Sequence, residues 1–164
     1  FMNKSAAFAG LFYPEEPEKL NKMLDSFKGS GSSIYKSKVI IVPHAGLVFS
    51  GHAAMTAFQH FEASENIFII APSHQAEFNN ICLPKYTYFD TPLGSVEVNN
   101  QLIKDINSKF PSIISDENFE KEHSIEVQLP FIQNVILQQK QSAAEFVKNL
   151  KNIGRKIQIG RAHV

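Results

Sequence analysis

Cysteine is almost missing from this 164-residue chain, with Cys82 its single example. One thiol cannot close an internal disulfide, so the composition suits a reducing compartment and a cytoplasmic location is expected. Surplus charge is missing as well. Sixteen Lys and Arg balance sixteen Asp and Glu, which argues against a nucleic-acid partner or an anionic membrane surface. Long apolar runs are lacking too: the longest, around Val39 to Val42, is far too short to cross a bilayer. The first residues, FMNKSAAFAGLFYP, hold no apolar stretch of the kind a signal peptide needs. Phe1 ahead of Met2 suggests a reading that starts upstream of the natural start. What is present is ordinary for a soluble globular chain, 43% hydrophobic and 20% charged, and long enough for a real core. The pattern predicts one domain over residues 1–158. Residues 159–164, IGRAHV, back-translate to a common sequencing-adapter string followed by a stop codon, and are expected to be adapter read-through.

Hydrophobic periodicity gives the organisation. Pro14, Glu15, Glu16 and Pro17 suit a helix first turn, and Leu20, Met23, Leu24 and Phe27 follow at helical spacing. Gly29 to Ser33 reads as a loop. Lys38 to Val42 is a continuous apolar run of the kind found in central parallel strands, Gly51 to Phe61 reads as a helix, and NIFIIA at 66–71 repeats the strand pattern. A strand, helix, strand unit of this kind places both strands in one parallel sheet. Residues 81–98 read as short strands around a turn at TPLG. Leu102, Ile103, Ile106 and Phe110 mark a helix, EHSIEVQLPFIQ a helix bent near Pro130, and Ser142 to Asn152 a further one. The fold class is α/β, with a mostly parallel central sheet flanked by helices.

Two histidines stand out. His44 follows Pro43 after the first apolar run, and His74 follows Pro72 and Ser73 after the second. Ligands of open α/β sheets bind beyond the carboxyl ends of the strands. Neighbouring strands lie about 4.8 Å apart, so two such imidazoles can converge on one metal ion. A third group would come from EHSIE, with His123, Glu122 and Glu126 as candidates. Two histidines with a carboxylate suit non-haem iron, and two with a thiolate favour softer metals. His52 and His60 on the crossover helix are read as solvent-facing or structural, and Cys82 as a buried inert thiol. Ser73 beside His74 lacks the G-x-S-x-G elbow of a hydrolase.

In order along the chain, AGLFYP at 9–14, VPHAGLVFSG at 42–51, APSHQ at 71–75, TPLGSVEV at 91–98 and EHSIEVQLPFIQ at 122–133 resemble the Memo family. Its bacterial and archaeal members are called AmmeMemoRadiSam system protein B. The resemblance implies a fold similar to class III extradiol dioxygenases, here incomplete, and a non-haem pocket for iron, with copper as the alternative. It implies that His44 and His74 are metal ligands and that His123 lies near the pocket; His123 is then expected to be the catalytic residue as a proton donor, the alternative being a group that supports the ligands. The expected activity is that of a metal-dependent, dioxygenase-like oxidoreductase. The alternative is a non-catalytic module that binds a peptide or protein in the same pocket. AMMECR1-domain and radical SAM proteins are the implied partners. The chain departs from the family at Leu47 and Phe49, where tyrosines are usual, and at Gln75, where a second histidine is frequent. The family's later SSD-x-SH segment and pocket cysteine have no counterpart here, so the third ligand is expected to lie outside this chain.

Overall fold

A computed structural model describes residues 2–29, 35–62, 66–137 and 156–161. The short strand β1 (Asn3–Lys4) leads to α1 (Pro17–Ser26), where proline at the first turn costs no hydrogen bond. Leu20 and Leu24 are fully buried on one face of α1, with Met23 and Phe27 packed against the same core. Helix α2 (Leu47–Gln59) starts four residues before the expected Gly51 and directly after His44, Ala45 and Gly46. It buries Leu47, Ala54, Met55 and Phe58. Gly51 faces the Phe27 ring of α1. A Cβ there would lie 2.1 Å from Phe27 Cε2, so only bare backbone permits this approach.

Strand β2 (Asn66–Ala71) falls where the NIFIIA pattern places it. Strands β3 (Ile81–Leu83), β4 (Tyr88–Thr91) and β5 (Gly94–Glu97) follow, and β4 and β5 pair around the expected TPLG turn. Gly94 there has φ +111°, a conformation that glycine alone adopts readily. Asn99 caps α3 (Asn100–Lys109) by accepting from the Leu102 N–H at 3.1 Å. Strand β6 (Ser112–Ile114) and the single turn α4 (Glu117–Glu120) lead into the EHSIE stretch. That stretch is loop and turn over residues 122–125 and helical, as expected, only from Glu126, changing pitch around Pro130: a 3-10 turn at Glu126–Gln128, one α turn, α5 (Leu129–Phe131), and a π-helical Ile132–Leu137. Strand β7 (Lys156–Arg161) was not foreseen from the sequence, and it crosses the boundary between residues 158 and 159. The helix expected at Ser142 to Asn152 lies outside the described residues, as does most of the Gly29 to Ser33 loop.

The α/β class holds, but among the described residues the strands divide between two small mixed sheets instead of one central sheet. One has the order β1-β4-β5, the other β2-β7-β3-β6. Three pairings are parallel (β1 with β4, β2 with β7, β3 with β6) and two antiparallel (β3 with β7, β4 with β5). The expected strand at Lys38 to Val42 is not one. Among the described residues its backbone forms no ladder, and the nearest pairing is a bridge between Ser37 and Phe61. Ile40 and Val42 pack on the core, whereas Val39 and Ile41 are 78% and 95% exposed. An apolar run supplies the side chains of a strand but not its partner, and β2 takes its ladder from β7. In the core, Phe131 stacks on Phe58 at 5.3 Å. Among the described residues no helix is long and apolar enough to cross a membrane.

Candidate metal centre

Three loops deliver three imidazoles to one place. His44 sits just ahead of α2, His74 three residues past the end of β2, and His123 between α4 and the 3-10 turn. One ligand nitrogen from each lies within 4.8 Å of the others. Ring centroids are 5.2 Å apart for His44 and His74, 5.7 Å for His44 and His123, and 4.7 Å for His74 and His123. The convergence expected of His44 and His74 is therefore present, although His44 reaches it from a loop entering a helix instead of a strand end. His123 joins them.

The EHSIE segment holds this arrangement by gripping the main chain of the other two loops. The Gln128 amide donates to the Pro43 carbonyl at 3.1 Å, next to His44. The Ser124 hydroxyl donates to the Pro72 carbonyl at 3.2 Å. Glu122, fully buried, accepts the His74 backbone N–H on Oε2 at 2.9 Å. Its Oε1 lies 3.0 Å from His74 Nδ1 and accepts the Ser124 N–H at 2.9 Å. Burial alone would push the Glu122 carboxyl up. The backbone N–H groups of His74 and Ser124, helped by the side chains of the same residues, outweigh it and hold the pKa down to about 2. Glu122 is thus ionised, and its oxygens are engaged behind His74.

One helical turn on, Glu126 does a different job. It is buried and accepts from the Ala7 N–H at 3.2 Å, the Phe8 N–H at 2.8 Å and the Tyr13 hydroxyl at 2.6 Å, and it pairs with the buried Lys4 ammonium. Burial first, then the Glu126 charge, push the Tyr13 phenol well above its ordinary range, so Tyr13 is a neutral donor. This knot seats the N-terminal segment against the site: the Phe12 ring lies 4.7 Å from that of His123 and the Phe8 ring 5.5 Å. Burial is the largest influence on His123 and lowers its pKa. His74 and His44 add to the lowering, and the Glu122 and Glu126 charges oppose it. His123 is neutral at pH 7, with a lone pair to offer.

Of the three groups weighed for the third position, the structure brings His123 into the cluster and commits Glu122 and Glu126 elsewhere. The residues read as structural behave so. His52 packs edge-on against Phe27 at 4.7 Å, and His60 Nδ1 lies 2.6 Å from the Thr56 carbonyl. The Ser73 hydroxyl donates to the Ala76 carbonyl at 2.7 Å within its own loop, and Cys82 is fully buried in β3. Sequence reasoning missed the supporting roles of Lys4, Phe8, Phe12 and Tyr13. The AGLFYP motif marks two of them, but nothing local to Lys4 signals a partner 122 residues away.

A family model described as Memo-like protein matches residues 4–147. The chain is 37% identical over 132 residues to a MEMO1 family protein of Aquifex aeolicus, covering 79% of this chain and 49% of that one. It is 40% identical over 140 residues to a MEMO1 family protein of Thermococcus onnurineus, covering 80% and 47%. It is 31% identical over 137 residues to the protein memo-1 homolog of Caenorhabditis elegans, covering 81% and 39%. The chain spans about half the length of the curated relatives it matches.

Proposed function

The chain belongs to the Memo-like protein family, and on that premise we propose that His44, His74 and His123 hold a redox-active transition metal ion, iron before copper, for a dioxygenase-like oxidation. The observation that carries this is the approach of three ligand nitrogens, from three separate segments, to within 4.8 Å of one another. The donor set fits: imidazole suits iron and copper alike. His74 has a carboxylate behind its other nitrogen, the arrangement common around metal-binding histidines. Such an ion, when bound, would supply electron exchange with dioxygen. The chain's own part is to orient three rings and to keep His123 neutral. His123, read from the sequence as a proton donor, is here equipped to bind the ion or to take up a proton. Ring cleavage is a weaker form of the same proposal, resting on the family resemblance alone, and catechol-dependent oxygen uptake tests it. Partnership with AMMECR1-domain and radical SAM proteins is proposed on family likeness alone.

The test is metal content. Purified protein is expected to carry stoichiometric iron or copper by elemental analysis, and a His44→Ala, His74→Ala double variant to fall to background. Unchanged content in the double variant defeats the proposal. A second reading, a peptide- or protein-binding pocket, is favoured by Val48 and Phe49, 74% and 89% exposed in the first turn of α2 just after His44. Capture of a partner that survives both chelation and histidine replacement would select it over the metal reading.

A further inference from the structure

The geometry points to Glu122 as a positioning residue that decides which nitrogen His74 presents to the cluster, keeping the proton on Nδ1 and the lone pair on Nε2. The carboxylate holds His74 twice, through the backbone N–H at 2.9 Å and through ring Nδ1 at 3.0 Å. Backbone and ring are thereby fixed to one buried group, and a ring flip would break the second contact. Each Glu122 oxygen already accepts a backbone N–H, from His74 on Oε2 and from Ser124 on Oε1, so the group is placed as an acceptor and the ring nitrogen facing it carries the hydrogen. A neutral imidazole has one N–H, and Nε2 is left with its lone pair exposed.

The same carboxylate makes no hydrogen bond to His123 and reaches it only through its charge. Its Oε1 already receives two donors, the Ser124 N–H at 2.9 Å and the His74 ring at 3.0 Å. His123 Nδ1 stands 3.7 Å away, beyond hydrogen-bond reach. Two rings stacked 4.7 Å apart are therefore set by different means, His74 by a hydrogen bond and His123 by the faces of Phe8 and Phe12. The tautomer of His74 follows from these contacts alone. Its consequence for metal affinity rests on the metal reading above.

Long-range proton–nitrogen correlation spectra of the apo protein, labelled with nitrogen-15 at histidine, read the tautomer directly at mildly alkaline pH, where imidazole is neutral. The wild-type chain is expected to show His74 with a protonated Nδ1 and an unprotonated Nε2. The reverse pattern overturns the inference and needs no variant. In folded Glu122→Gln the His74 signals should shift toward a mixture of tautomers, and Co(II) should bind roughly 10- to 100-fold more weakly. A folded Glu122→Gln with tautomer and Co(II) affinity both unchanged also overturns it. The expected tautomer in a wild-type chain that binds no Co(II) upholds the positioning role and defeats only the metal reading.

Discussion

Lys38 to Val42 is almost wholly apolar, yet Val39 and Ile41 stand in the open; Glu122 to Gln128 holds two carboxylates, a hydroxyl and an amide, and all of it but His123 is buried. Hydrophobicity does not explain the difference. Glu122 and Glu126 each arrive in the interior with several donors waiting, which offsets the cost of taking a charge out of water. Among the described residues the Lys38 to Val42 backbone joins no ladder, and only every second side chain of it touches the core. In this molecule a polar segment whose carboxylates each meet several donors is better buried than an apolar one with no ladder among the described residues.

The comparison can be broken at its strong end first. Glu126→Ala would leave the buried Lys4 ammonium without its carboxylate and three further donors unmet. We expect a loss of about 3–5 kcal/mol in urea denaturation. A loss below about 1 kcal/mol would show that water reaches the knot. Tyr13→Phe removes one hydrogen bond to a charged group and is expected to cost about 1.5–3 kcal/mol at neutral pH. It carries a pH signature as well. The native phenol titrates above the unfolded one, so its stabilisation is whole below the unfolded pKa of about 10 and is lost as pH rises beyond it. The variant should therefore show a shallower alkaline fall in stability than the wild type. At the weak end, Ile41→Ser is expected to change stability by no more than about 0.5 kcal/mol. A loss of about 2 kcal/mol would mean that this side chain packs on something in solution.

The chain displays some of this and hides the rest for physical reasons. β2, the TPLG turn and the helical faces of α1 and α3 could be read because their signals are local: alternation, a glycine at positive φ, a 3.6-residue repeat. His44 and His74 could be paired because each follows an apolar run and a proline. The run before His44 misled, since four β-formers look alike whether or not a ladder partner exists elsewhere. β7 escaped for the complementary reason, its pairing with β2 spanning 90 residues at Asn66 and Lys156. The buried roles of Glu122 and Glu126 were illegible because two acids near a histidine look the same as ligands, as caps or as solvated charges. Only the identity of their distant donors separates them.

The EHSIE segment reaches its two neighbouring loops through peptide carbonyls at Pro43 and Pro72 and a peptide N–H at His74. None of those three bonds depends on the side chain at position 45 or 75. Ala45 and Gln75 are therefore the places to diversify in a variant library: new groups there would change what the pocket admits while the scaffold that gathers the imidazoles stays intact.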